Sequence, residues 1–292
     1  VRALVPEPVK RIVHAGSVSY GRLTAGARML PSFLICGGQR CGTTSLYRAL
    51  SAHPAVLKAV LHKGVHYFDV GYGNGQRWYR GHFPSQRRAH RRSRALDGVP
   101  VQTFESSPYY LYHPHAAARI AAELPSVRLL VLVRDPVARA YSQHAHEVAR
   151  GFERETDFAR ALSLEPHRLR GQDRALRDDP YRYSFAHQHH AYRSRGEYAR
   201  YLEELAAAVG RHQILVLDSG EFFGDPAPVY DRVLDFLGLP QLGYPRFDRY
   251  NARPRERDMP AALRADLAAH FAPHDARLAD WLGRPPSWHL PQ

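Results

Sequence analysis

Lysine is nearly absent from this chain. Of 41 Lys and Arg residues only Lys10, Lys58 and Lys63 are lysines, and the rest are arginine. With abundant Ala, Gly and Pro, that bias fits GC-rich coding and says little about chemistry by itself. The formal charge of +13 still favours an anionic partner. A small nucleotide fits better than nucleic acid, because no DNA- or RNA-binding fingerprint accompanies the charge. Cysteine is scarce too: Cys36 and Cys41 are the only two, which excludes a disulfide framework. They bracket a Gly-rich loop, where a disulfide would constrain the turn and a metal would need further ligands, so two reduced, packed thiols are expected. No apolar run approaches the ~20 residues that span a membrane. Residues 1–10 have no signal-peptide core, and a cytoplasmic protein is the expectation. No internal repeat is visible. Hydrophobic residues at 44% and charged residues at 24% are ordinary globular values, which excludes wholesale disorder.

What is present is concentrated between residues 33 and 48. An apolar run, Phe33-Leu34-Ile35-Cys36, meets a Gly-rich turn, Gly37-Gly38-Gln39-Arg40-Cys41-Gly42, then three hydroxyls, Thr43, Thr44 and Ser45, and a helical pattern. Strand, loop and helix N-terminus in that order can cradle a phosphate with successive backbone N–H groups. The spacing matches a nucleoside-triphosphate P-loop, but Thr43 stands where the P-loop lysine belongs. Arg40 is the nearest cation.

A second anion-binding segment follows the strongest strand pattern, residues 127–133, a continuous Val/Leu run of the kind buried in a parallel sheet. Arg134 leaves its end, Pro136 starts a helix, and Ser142 lies about two turns along. A guanidinium fork plus a hydroxyl suits a phosphate dianion. Further strands are expected at 56–60, 101–105 and 213–217, alternating with helices at 44–52, 115–124, 137–150, 196–208 and 228–237. Two terminal helices, 260–272 and 274–282, complete the pattern. This alternation predicts an α/β fold: a P-loop-like, doubly wound parallel sheet flanked by helices on both faces, in a single domain over 31–292. Residues 1–30 form a basic N-terminal arm with a short helix near 9–14. The Arg-rich run 87–94 predicts solvated surface. Residues 151–190 are polar and His-rich and predict a variable excursion near the ligand cleft; its His187, His189 and His190 are a flexible, solvated cluster or a metal site.

These two segments resemble the 5′-phosphosulfate loop (residues 37–45) and the 3′-phosphate strand-turn-helix (residues 133–142) of sulfotransferases that use 3′-phosphoadenylyl sulfate (PAPS). The order of elements is most similar to the heparan sulfate-type branch and its bacterial relatives. Lys63-Gly64-Val65-His66-Tyr67-Phe68-Asp69, Phe104-Glu105-Ser106-Ser107-Pro108 and Arg195-Gly196-Glu197-Tyr198 support the resemblance, as does an Arg-rich loop, 253–257, followed by Met259-Pro260. It implies transfer of a sulfuryl group from PAPS to a hydroxyl of a phenol, lipid or glycan, with release of adenosine 3′,5′-bisphosphate and no metal requirement. Neither a nucleic-acid partner nor a transmembrane segment is implied, and a homodimer is an open expectation. The donor site so implied comprises Gly38, Gln39, Arg40, Cys41, Gly42, Thr43, Thr44, Ser45, Arg134 and Ser142. Tyr198 packs near the adenine or belongs to the core. Arg253 and Arg255 close on the 3′-phosphate or form a solvated loop. Arg40 takes the place of a family lysine as the cation aimed at the leaving group, with Lys63 available to neutralise the transferring group.

One departure is large. The branch carries a glutamate base where this chain has Gly64. His66 is the first replacement, since imidazole titrates near working pH; Glu105 is the second, or an orienting carboxylate. Tyr67, Phe68 and Asp69 are candidate acceptor contacts, although the aromatics also fit a core edge and Asp69 also fits a turn cap. Two competing readings remain: an ATP-dependent P-loop kinase, weakened by Thr43 and by the lack of a clear metal-holding Asp, and a nucleotide-binding scaffold that has lost catalysis.

Overall fold

The computed structural model describes residues 7–248, 250 and 259–290. Arg253 and Arg255 lie outside the described residues. Five parallel strands form one sheet: β1 (Phe33–Gly37), β2 (Val56–Lys58), β3 (Gln102–Ser106), β4 (Arg128–Val133) and β5 (Ile214–Asp218), in the order β2-β3-β1-β4-β5. The chain winds outward from β1 to β2, returns to β3, then crosses to β4 and β5. The winding therefore reverses between β1 and β4, where loops diverge and leave a crevice beyond the strand ends. β1 is buried along its whole length, as is β4 after Arg128, which explains their unbroken apolar sequences. Ile35 pairs with Leu130, and the register slips before Gly37 pairs with Val131, just where β1 gives way to its loop.

The helices Thr43–Ala52, Pro136–Ala149, Tyr198–Val209 and Pro226–Leu237 alternate with the strands, each presenting an apolar stripe to the core. The sequence located these to within a few residues. The N-terminal helix is longer than expected, Glu7–Leu23, and the segment after it is fastened to the body: Arg28 bridges to Ser85 and the Met29 amide donates to the Pro84 carbonyl at 2.9 Å. The Arg-rich run is a helix, Gln86–Arg94, with no buried residue.

Two expectations are corrected. The excursion 151–190 contains three helices, Phe158–Leu169, Gln172–Asp178 and Phe185–His189, and Phe158, Ala161, Leu162 and Leu176 are buried. Its clustered histidines, His187, His189 and His190, are fixed rather than solvated. His187 Nδ1 lies 2.7 Å from the Tyr109 hydroxyl, His189 Nδ1 lies 2.9 Å from Glu147 Oε2, and His190 Nε2 lies 2.9 Å from the Phe152 carbonyl. The two terminal helices are one, Ala261–Leu282, running through Pro273. Proline removes one N–H bond, but burial of Leu267, Phe271 and Leu278 holds the helix together across it. Among the described residues no helix is long and apolar enough to cross a membrane.

Candidate active site

The loops that follow β1 and β4 leave the sheet side by side at the reversal point and open onto a cavity of about 1690 Å³. The Gly38 amide donates to the Leu132 carbonyl at 2.6 Å, tying the first loop to β4. Gly42 ends that loop with φ +88° and precedes the helix Thr43–Ala52, for which it supplies no side-chain cap. A glycine belongs here twice over: the left-handed conformation suits it, and a Cβ would lie 2.9 Å from the Phe223 ring. An uncapped helix start directs first-turn N–H groups and the positive end of the helix dipole at the cavity, an arrangement that suits an anion. Gln39, Arg40, Gly42, Thr43 and Thr44 line the cavity, whereas Gly38, Cys41 and Ser45 support the loop from behind. Both cysteines are free and buried. Ser45 Oγ accepts from the Tyr250 amide at 3.1 Å, and the Tyr250 ring lies 4.0 Å beneath the Arg48 guanidinium.

The second loop begins at Arg134. Asp135 Oδ1 accepts from the Val137 amide at 3.0 Å and caps the helix Pro136–Ala149, with Pro136 in its first turn. That helix places Ser142 on the cavity, where its Oγ accepts from Arg40 Nε at 3.0 Å. Arg134 Nη1 reaches the Arg40 carbonyl at 3.4 Å. Tyr198 is not exposed near a base-binding surface. It is 1% exposed, and its hydroxyl donates to the Arg134 carbonyl at 3.0 Å and meets Cys41 Sγ at 3.5 Å, a buried pin between the two loops. Lys63 Nζ donates to Thr44 Oγ1 at 2.9 Å. Burial and the Arg48 charge pull the Lys63 amine down to about 8 against the opposing pull of Glu105, so it remains mostly protonated at neutral pH.

Beside the first loop, at the end of β3, lies the segment around Gly64. A Cβ on Gly64 would sit 2.5 Å from the Ser106 carbonyl oxygen and 3.4 Å from His66 Nε2. The backbone of β3 therefore occupies the root of any side chain at 64, and the His66 imidazole stands beside the same space. His66 adopts φ +56°, unusual for a non-glycine residue, held there by its amide bond to Ser107 Oγ at 3.0 Å. Its Nδ1 lies 2.7 Å from Asp69 Oδ2, its ring is 40% exposed, and it lines the cavity. Burial lowers the affinity of this imidazole for a proton, but the charge and hydrogen bond of Asp69 outweigh it and the net shift is upward. With Nδ1–H donated to Asp69, Nε2 is left with its lone pair on the cavity side.

Glu105 is fully buried and does not line the cavity. Its Oε2 accepts from Ser107 Oγ at 2.7 Å and the Val65 amide at 3.1 Å, and its Oε1 from the Tyr110 hydroxyl at 2.6 Å. Burial raises its pKa. With both oxygens spoken for, this carboxylate orients the segment 64–66 and the expectation of Glu105 as a base is corrected. The acceptor expectations for Tyr67, Phe68 and Asp69 also fail on geometry: all three are buried and off the cavity. Tyr67 stacks on Tyr79 at 4.6 Å and Phe68 packs edge-on to it at 5.0 Å, so this aromatic set is core.

Glu147 and Ser219 escaped sequence reasoning, and Arg195 was given no role by it. Gln39 is held from both sides: its Nε2 donates to Glu147 Oε1 at 2.8 Å and its Oε1 accepts from Arg195. The Arg195 guanidinium lies over both the Tyr109 and the Tyr112 ring, 4.8 Å from each centroid. Ser219 follows β5, lines the cavity and donates to the Cys41 carbonyl. The rule that ligands gather beyond strand carboxyl ends would have singled out Ser219; nothing in the local sequence marks Glu147.

Residues 30–250 match the family model described as a sulfotransferase domain. Among curated proteins, the human heparan sulfate glucosamine 3-O-sulfotransferase 3A1 is 30% identical over 220 residues, covering 75% of this chain and 47% of that protein. The mouse heparan sulfate glucosamine 3-O-sulfotransferase 6 is 31% identical over 229 residues, covering 78% and 58% respectively. The chain thus spans about half the length of these relatives. A solved sulfotransferase from Alicyclobacillus acidocaldarius superposes with a TM-score of 0.66 at 28% identity, covering 89% of this chain and 98% of that one.

Proposed function

Because the chain belongs to the sulfotransferase family, whose donor is PAPS, we propose that it moves the sulfuryl group of PAPS to a hydroxyl acceptor of phenol, lipid or sugar type and releases adenosine 3′,5′-bisphosphate. The observation that carries this reading is the bond from Arg40 Nε to Ser142 Oγ at 3.0 Å. It joins the two segments that bind opposite ends of such a nucleotide, and both open onto one cavity. The fit rests on this chain's own features: an uncapped helix start for the 5′-phosphate, and a guanidinium with a hydroxyl for the 3′-phosphate.

Thr43 and Thr44, with the first-turn amides, hold the 5′-phosphate, and Ser45 braces the turn behind them. Arg134 and Ser142 bind the 3′-phosphate, the group that distinguishes PAPS from ATP. Tyr198 and Cys41 hold the loops at a fixed separation. Arg40 and Lys63 supply positive charge where negative charge accumulates on the bridging oxygen of the departing nucleotide. His66 Nε2 takes the acceptor proton as the acceptor oxygen forms its bond to sulfur and the sulfur–nucleotide oxygen bond breaks. Asp69 holds the imidazole in the required tautomer and stabilises the imidazolium that results. Glu105 keeps the 64–66 backbone in place. The catalytic unit is residues 31–292, and the 151–190 segment walls the acceptor end, consistent with Phe158, Gln188 and His189 lining the cavity.

The test is transfer of labelled sulfuryl from PAPS across phenolic, lipid and saccharide acceptors, with adenosine 3′,5′-bisphosphate quantified as product. Turnover on at least one class is expected. Silence across the panel, with the bisphosphate still binding, would favour a catalytically inert scaffold.

A further inference from the structure

A separate constellation lies where the long helix Ala261–Leu282 runs beside the start of the helix Tyr198–Val209. His270 and His274 are four residues apart, so one turn of helix sets them on the same face. Glu197, at the cap position of the helix Tyr198–Val209, faces them. Its Oε1 lies 3.2 Å from His270 Nε2, while its Oε2 is 3.9 Å from Arg200. One ligand-capable atom from each of Glu197, His270 and His274 lies within 4.8 Å of the other two. Independently, His274 Nδ1 is shielded from solvent and has no hydrogen-bond partner. A buried, unpaired ring nitrogen costs free energy, and a bound ion is one of the few ways to recover it.

We propose that Glu197, His270 and His274 form a zinc site. Two imidazoles and one carboxylate suit zinc, whereas magnesium and calcium prefer oxygen-only shells. Tetrahedral zinc with ligands at ~2.0–2.1 Å sets neighbouring ligand atoms roughly 3.4 Å apart, and the Glu197–His270 pair at 3.2 Å is already at that separation. The three side chains are only half-buried, so a hydrated ion reaches them and water completes the shell. The role is structural. The ion fastens the terminal helix to the segment that leads into Tyr198, the residue whose hydroxyl bonds the Arg134 carbonyl. It takes no part in sulfuryl transfer.

The experiment uses the full chain, free of affinity tags, stripped with chelator, re-exposed to Zn²⁺ and dialysed. Metal content and melting temperature are then read on wild type, the His270→Ala/His274→Ala double variant, the isosteric Glu197→Gln variant and His167→Ala as a control at an exposed position. Wild type and the control are expected to retain about one equivalent of zinc and to melt roughly 5 °C higher with the ion at a hundredfold excess over Kd. The double variant is expected to retain none and show no shift; should it fail to fold, Glu197→Gln, with zinc affinity lowered at least tenfold, carries the same test. Wild type that retains no zinc, or variants that retain it as wild type does, would overturn the proposal.

Discussion

The two walls of the cavity are made in different ways. The donor wall is backbone at the ends of β1 and β4, a helix start opened by Gly42, and two side chains, Arg134 and Ser142, set on it by Pro136. The second wall is a side-chain assembly: His66 leaning on Asp69, carried by a backbone that Glu105, Ser107 and Tyr110 hold from beneath. A wall made of backbone follows from topology. A wall made of side chains can be rebuilt when one member is missing. Here position 64, where the resemblance implies a glutamate, is glycine; the β3 carbonyl of Ser106 crowds the place of its Cβ, and an imidazole nitrogen lies 3.4 Å from that place.

If the walls divide labour in this way, mutations should separate turnover from nucleotide affinity. The largest effect is expected from His66→Ala, which should lower kcat by ~10²–10⁴ and leave adenosine 3′,5′-bisphosphate affinity unchanged in a calorimetric titration. Wild-type turnover would remove His66 from the chemistry. Next, Arg134→Ala should weaken bisphosphate binding roughly 30- to 1,000-fold, the consequence of losing ~2–4 kcal/mol of charged contact; an unchanged Kd would take Arg134 out of the donor wall. Gly64→Glu, which writes the family's base back into the sequence, should restore nothing. The Ser106 carbonyl must shift to admit a Cβ, at about 1–3 kcal/mol of stability, so a lower melting temperature and slower turnover are expected. A faster, equally stable variant would contradict the steric account.

The subtlest effect is on pH dependence. Asp69 raises the His66 pKa against the opposing effect of burial, and the base works only when deprotonated. Activity should therefore fall as pH drops through that raised value, above the ordinary imidazole range near ~6.5. Asp69→Asn should move the acid limb of the kcat profile to lower pH and lower its plateau, because the imidazole loses its carboxylate partner. A limb that does not move would separate Asp69 from the base.

The sequence exposed the wall formed by the loops after β1 and β4 because its signals are local. A buried strand reads as an apolar run, a phosphate loop as glycines followed by hydroxyls, and a helix start as Asp135-Pro136, each within a few residues. The sheet order then places the two loops together without further information. The second wall was legible only in part. The missing glutamate at 64 was visible, but the carbonyl that fills its place comes from residue 106, and no local pattern couples the two. Tyr67 and Phe68 looked equally suited to a pocket and a core, since alternation says which side chains turn inward and not what lies there. The helices of 151–190 were obscured by polar exteriors and by Pro166 inside one of them. Pro273 likewise read as a break that the burial of Phe271 and Leu278 overrides.

The central claim, that the loops after β1 and β4 form one site for a nucleotide bearing a 3′-phosphate, is tested most directly by calorimetric titration of the wild-type chain. Adenosine 3′,5′-bisphosphate and ATP with Mg²⁺ are titrated under identical salt. The expected result is binding of the bisphosphate at least a hundredfold tighter than ATP, about 2.7 kcal/mol of discrimination, and independent of Mg²⁺. Preference for ATP with Mg²⁺, or indifference to the 3′-phosphate, would contradict it.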